Sequence, residues 1–188
     1  PEKKVTACTV MNGRIYAFFC PNAHKTLLMS CDLEGGDRRL LISNVREEKR
    51  NWFDRQTEFR VESVWPDPER DRLLVNATWG LWELKPVSME HRRICELTNL
   101  PSRVQMVGRS LYVSAFDNEF YRYDLDFDHL EHFLSVRIDG RESKSAKYTV
   151  QVANTGFESP FYFAGDRIWF GGFCSMKSLK LPDVEHST

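Results

Sequence analysis

The sequence lacks any apolar run of about 18 residues, the length a transmembrane helix needs. Its longest clean stretches lie near Arg14 to Cys20 and Arg167 to Phe173, so no helical membrane span is encoded and the chain reads as soluble. It also lacks an excess of charge of either sign. Against 26 Lys and Arg stand 27 Asp and Glu, for a net charge of −1, and no global field draws the chain to nucleic acid or an anionic membrane. None of the five cysteines, Cys8, Cys20, Cys31, Cys95 and Cys174, belongs to a CxxC pair. Their odd number and spacing support neither a dense disulfide framework nor a structural zinc site. Four of the five fall in apolar strand-like runs and read as small buried thiols. There is no initiator Met, and Pro1-Glu2-Lys3-Lys4 leads directly into Val5-Thr6-Ala7-Cys8, which has neither the apolar core nor the cleavage region of a signal peptide. The start reads as trimmed, and the compartment stays open between cytoplasm and export after removal of a signal segment.

Catalytic signatures are missing as well. No GxSxG elbow, P-loop, HExxH or Rossmann glycine pattern occurs. Only Asp126-Phe127-Asp128-His129-Leu130-Glu131-His132 gathers several metal-ligating types. On a strand His129 and Glu131 share one face while His132 points to the other, so the set does not converge, and no DxDxDG calcium spacing is present. Cys174 follows Gly171-Gly172-Phe173, but with no helix after it and no local histidine it reads as a buried strand thiol rather than a nucleophile. No catalytic residue, metal site or cofactor is assigned.

What is present is a repeat. In 188 residues, 41% of them hydrophobic, one domain is expected. Four segments align: Met11 to Phe19, Glu69 to Ala77, Val107 to Ala115 and Ala164 to Gly172. Each places a polar or glycine turn before a strand that opens on an aliphatic residue, the second half of a hairpin. The first halves are Val5 to Val10, Val61 to Trp65, Arg103 to Val107 and Pro160 to Ala164. Third strands follow at Thr26 to Leu33, Gly80 to Leu84, Glu119 to Leu125 and, more weakly, Met176 to Leu181. Fourth strands are expected in three units, at Arg38 to Ser43, His91 to Leu97 and His129 to Val136. Four antiparallel strands joined by short turns make one propeller blade. The equivalent residues Ile15, Leu73, Leu111 and Ile168 are spaced 58, 38 and 57 residues apart. The surplus lies in residues 44–60 and 137–159, read as insertions, and loops of that length in a compact fold are commonly functional.

The stretch Cys31-Asp32-Leu33-Glu34-Gly35-Gly36-Asp37-Arg38-Arg39-Leu40-Leu41-Ile42 resembles the outer-hairpin turn of propeller repeats such as those of the TolB and YWTD proteins, where Asp-x-x-Gly-x-x-x-Arg-x-Leu closes the hairpin. The likeness covers about a dozen residues and is echoed without the glycines at 84–97 and 124–133. It implies blade architecture and no particular function. The expected fold is therefore all-β, a β-propeller or partial propeller of about four blades, with a two-sheet sandwich as the alternative. Because the fourth unit ends without an outer strand, missing blades or a partner are expected to cover it.

The leading functional reading is a non-catalytic binding module that meets a protein partner through Arg50, Trp52, Phe53 and Arg55, since aromatic residues flanked by arginine are common interface anchors, and through segment 137–159. The rival is an enzyme or small-molecule site in a central channel, lined by Arg72, Arg109, Asp166 and Arg167 at the hairpin turns. Trp79 and Trp82 read as packing between blades. Trp65-Pro66-Asp67-Pro68 reads as a strand end enforced by its prolines. The sequon Asn76-Ala77-Thr78 lies in a core strand and should be shielded.

Overall fold

Short apolar runs punctuated by Asn-Gly, Gly-Arg and Gly-Asp pairs favour two-residue hairpins, and the chain folds accordingly in a computed structural model. The structure describes residues 4–22, 25–42, 61–77, 80–96, 104–114, 119–137, 144–151, 161–172 and 175–181. Among them are sixteen strands in four sheets, and a single 3-10 turn, Pro68–Arg70, is the one helical piece. The chain divides into two compact units, Pro1–Pro101 and Ser102–Thr188.

The first unit holds two four-stranded antiparallel meanders. One runs β1 (Val5–Met11), β2 (Arg14–Asn22), β3 (Lys25–Asp32) and β4 (Arg39–Ile42). The other runs β5 (Val61–Asp67), β6 (Arg72–Ala77), β7 (Gly80–Leu84) and β8 (His91–Glu96). Met11, Tyr16, Phe18 and Leu28 of the first sheet form one buried cluster with Val61, Val64, Leu73, Val75, Ala77 and Leu84 of the second. Full burial of each large apolar side chain there contributes about 1.5–3 kcal/mol. Asn12-Gly13, both at positive φ, form the turn between β1 and β2. The Asn12 Nδ2 donates to Asp71 Oδ1 at 3.1 Å, tying that turn to the one between β5 and β6.

The second unit holds a five-stranded sheet in the order β13-β12-β11-β10-β9 and a three-stranded sheet in the order β14-β15-β16. Their strands are β9 (Val104–Val107), β10 (Ser110–Ser114), β11 (Glu119–Asp124), β12 (His129–Arg137), β13 (Tyr148–Gln151), β14 (Phe161–Ala164), β15 (Arg167–Gly172) and β16 (Ser175–Lys180). Tyr112, Phe120, Phe133, Leu134, Val136, Ile168 and Leu181 form its buried cluster.

The four hairpins and their third strands stand where the repeat places them, and each of the first three sheets has the expected fourth strand. Three local readings change. Segment 137–159, read as a connection, contributes β13, which pairs in parallel with β12 from Leu134↔Tyr148 to Arg137↔Gln151. Strand β5 continues through Pro66, which stands opposite Leu73, and the chain turns only at Pro68. Cys8 is exposed rather than buried, Cys20 and Cys31 are half-buried, and only Cys95 of the described cysteines is buried. Asn76 is 2% exposed, as the shielding of its sequon requires.

The third and fourth strands share a further regularity. Register shifts fall between Leu28 and Met29, between Leu81 and Trp82, and between Phe120 and Tyr121. Each is a bulge that inserts one apolar residue, Leu41, Ile94 or Phe133, into the fourth strand. Leu28, Leu81 and Phe120, just before the shift, are all fully buried.

Gly80 opens β7 at φ +147, and a Cβ there would stand 2.0 Å from the Cys95 carbonyl oxygen. Gly13, at φ +73, has nothing within 4 Å of such a Cβ. Gly80→Ala should therefore destabilise the first unit by roughly 3 kcal/mol or more, since backbone would have to shift. Gly13→Ala should cost only about 1–2 kcal/mol of left-handed strain. Urea unfolding of the two variants checks this ordering, and equal losses would contradict it.

Candidate functional site

Arg50, Trp52, Phe53 and Arg55 lie outside the described residues, as does Trp79. Trp82 packs half-buried against the first unit's core. The four turn residues named for a channel site are described, and each is engaged within its own sheet. Arg109 Nε donates to Asp126 Oδ1 at 2.9 Å. Arg167 Nη1 donates to Ser178 Oγ at 2.9 Å, and Asp166 faces Lys180 Nζ at 3.7 Å. Arg72 is 2% exposed and bonded on two sides, to Asp67 Oδ2 at 2.7 Å and Glu83 Oε2 at 2.6 Å.

Arg72 and Arg167 share a geometric rule with Arg14. Tyr16 stands opposite Ser30, Leu74 opposite Glu83 and Trp169 opposite Ser178. Arg14, Arg72 and Arg167, two residues before those second-strand positions, reach diagonally to Ser30, Glu83 and Ser178, the diagonal range open to long side chains in antiparallel sheets. In the five-stranded sheet the equivalent residue is Ser110, whose buried Oγ has no hydrogen-bond partner. There the guanidinium is on the third strand instead, with Arg122 Nε 2.6 Å from Glu131 Oε1. Glu131, which sequence reading grouped with metal-ligating types, is thus an ion-pair partner. No group of three or more His, Cys, Asp or Glu among the described residues is arranged to hold a metal ion.

The turns between third and fourth strands differ in chemistry. In the first sheet Gly36 N donates to Asp32 Oδ1 at 2.6 Å and Arg38 Nε to the Gly35 carbonyl at 2.8 Å. Asp37 accepts from Arg39 and Arg14, which hold its exposed carboxyl below the usual range. In the five-stranded sheet Asp124 Oδ1 accepts from the amides of Asp126 and Phe127. All three turns nevertheless leave a large apolar side chain in solvent: Leu33 at 58%, Val87 at 82% and Phe127 at 72% exposure.

The most developed polar cluster lies on the five-stranded sheet. The bulge after Phe120 places His132 opposite Tyr121, while Glu119 remains opposite Ser135. Unbroken pairing would have put Phe133 opposite Tyr121, so the bulge brings His132 onto the face that carries Glu119 and Ser135. Its imidazole stacks on the Tyr121 ring, with centroids 4.9 Å apart and planes inclined at 22°. His132 Nε2 is 2.6 Å from Glu119 Oε2 and Nδ1 is 2.9 Å from Ser145 Oγ. The other carboxylate oxygen, Oε1, accepts from Ser135 Oγ at 3.1 Å and pairs with Arg137 Nη2 at 2.6 Å. Lys147 N donates to the His132 carbonyl at 3.0 Å, holding the segment that carries Ser145 against β12. The bulged position recurs in the second sheet, where Trp82 stands opposite Arg93 and the guanidinium lies 5.7 Å from the indole centroid. Sequence reading named His132 but missed Glu119 and Ser145. A strand-only argument has no signal for a bulge.

No protein-family model and no curated protein sequence matches the chain. Solved structures are similar in fold. The extracellular domain of the hybrid two component system BT3049 from B. thetaiotaomicron superimposes with a TM-score of 0.53 at 12% identity, covering 96% of this chain and 24% of that one. The corresponding BT4673 domain gives 0.53 at 17% identity, covering 95% and 21%. An auxiliary nutrient binding protein from Bacteroides thetaiotaomicron gives 0.50 at 12% identity, covering 90% and 36%. The chain thus spans about a fifth to a third of the length of these proteins, and at such identities the likeness shows the all-β fold alone.

Removing Arg72 would take the guanidinium at 2.7 Å away from Asp67, a carboxylate with no solvent exposure. Arg72→Ala should lower stability at neutral pH by about 3–5 kcal/mol. Burial pushes the Glu83 carboxyl up, but hydrogen bonds and charge from Arg92 and Arg72 outweigh it and hold it below its ordinary 4.5. Its contribution is then complete above that value and lost as pH falls through the lower folded value. Glu83→Gln should accordingly flatten the acid limb of the stability curve. Urea midpoints measured across a pH series down through the carboxylate range check it, and an unchanged limb would refute the pairing.

Proposed function

We propose that the chain is a binding module, with sheets of the TolB and YWTD blade kind, whose partner is a protein met at the outer hairpin turns. The observation that carries this reading is the recurrence of Leu33, Val87 and Phe127 in solvent at the same turn of three sheets. Single exposed apolar residues are ordinary, but turns with unrelated hydrogen bonding that each retain one are better explained by contact. Loops held on a rigid scaffold are where binding residues concentrate. Arg50, Trp52, Phe53 and Arg55, which lie outside the described residues, are further anchor candidates by residue type, aromatic side chains flanked by guanidinium groups. The channel reading loses support, because Arg72, Arg109 and Arg167 are engaged inside their sheets. The names of the similar structures, an auxiliary nutrient binding protein and extracellular domains, agree with a binding role outside the cell.

The test is affinity capture by the tagged chain, quantified by mass spectrometry against two variants, Val87→Asp/Phe127→Asp and Trp52→Ala/Arg55→Ala. Val87 and Phe127 are exposed, and each variant is compared at a melting temperature that matches the wild type. A partner is expected whose capture falls at least tenfold in each, equivalent to about 1.4 kcal/mol. Identical capture by wild type and both variants would overturn the reading.

A further inference from the structure

The cluster around His132 joins a shielded carboxylate, through the imidazole, to the hydroxyl of an exposed serine. Glu119 is held from behind. Its Oε1 is occupied by Ser135 and Arg137, leaving Oε2 for His132 Nε2. A carboxylate can only accept, so Nε2 carries a proton and the other ring nitrogen, Nδ1, faces Ser145 Oγ at 2.9 Å, where the tautomer protonated at Nε2 presents a lone pair. The imidazole is fixed in plane by Tyr121 and in position by its carbonyl bond to Lys147. The side chains of His132 and Glu119 are each 15% exposed, whereas Ser145 is exposed. A shielded carboxylate, an imidazole oriented by it and the hydroxyl of an exposed serine in hydrogen-bond sequence are the parts of an activated nucleophile.

We propose that Ser145 is such a nucleophile and that this face of the sheet reacts with small activated acyl esters. Ser145 Oγ attacks the ester carbonyl carbon while its proton passes to His132 Nδ1, and Glu119 stabilises the imidazolium. The bond from that carbon to the leaving oxygen then breaks, and the leaving group departs with the proton held on Nδ1. Water, deprotonated by the same nitrogen, adds to the acyl-serine, and the acid is released as the serine regains its proton. The contribution of a positioned base of this kind is about 10²–10⁴-fold in rate. The inference is independent of the protein-binding reading, since no substitution that tests one touches residues of the other.

The experiment uses the full chain with an alkyl fluorophosphonate probe, in which the serine oxygen displaces fluoride at phosphorus, and with p-nitrophenyl acetate as ester. Peptide mapping should find one adduct, on Ser145. Ser145→Ala, at an exposed position, should keep the wild-type melting temperature and lose both the adduct and ester turnover. His132→Gln should slow labelling at least 100-fold. Glu119→Gln, which keeps the side chain's size but removes its charge and one of its two acceptor oxygens, should slow it about tenfold or more while the melting temperature stays near wild type, a loss that a merely structural role for Glu119 would not produce. No adduct on Ser145, label spread over other exposed serines, or labelling of Ser145 at the wild-type rate in a folded Glu119→Gln protein would each overturn the proposal.

Discussion

One extra residue in the fourth strand governs what the outer half of three of the four sheets presents. Side chains alternate with a period of two, so a single inserted residue reverses which of them share a face. Leu28, Leu81 and Phe120 stand fully buried on one side of the shift. On the other side, Leu40 comes opposite Met29, Arg93 opposite Trp82 and His132 opposite Tyr121. The same device thus yields an aliphatic contact, a cation over an indole and an imidazole stacked on a phenol. The last is linked onward to the Glu119 carboxylate and the Ser145 hydroxyl, which makes it a chemical position as well as a packing one.

Charge inside the sheets obeys a second constraint. The first residue of the second strand reaches across the third, and what it finds depends on how much water remains there. Arg14 is partly solvated and is satisfied by Ser30 together with Asp37. Arg72 is almost fully enclosed and needs two carboxylates, because a buried guanidinium with fewer partners would retain much of its desolvation cost. In the five-stranded sheet the guanidinium moves to Arg122 and the small Ser110 takes its former place, which keeps the volume of the pair while exchanging its members. Positions committed in this way to holding strands together are poor candidates for binding a ligand. The turns and the segment leading into β13 are left as the surface with chemistry to offer.

Much of this was legible from residues near one another in the chain. Asn12-Gly13, Gly108-Arg109 and Gly165-Asp166 mark hairpin turns because local backbone preference selects them. The alternation in Leu111-Tyr112-Val113 or Ile168-Trp169-Phe170 marks strands for the same reason. The candidate site was legible only in fragments. His132 drew notice as one of several metal-ligating types, yet its partners Glu119 and Ser145 lie 13 residues away on either side, and nothing local links them. Arg72 was read as a turn arginine open to a ligand because its distance from solvent depends on Asp67, Glu83 and the cluster beneath them.

By itself the sequence determined the strands, the turns, their fourfold recurrence and the absence of a helical membrane span, since each follows from short-range backbone preference and from the spacing of apolar side chains. Tertiary structure alone decided the bulge that turns His132 toward Glu119, the enclosure of Arg72 and the parallel pairing that brings Ser145 beside the imidazole. These depend on which strand edges meet and in what register, and register is set by the packing of residues distant in the chain.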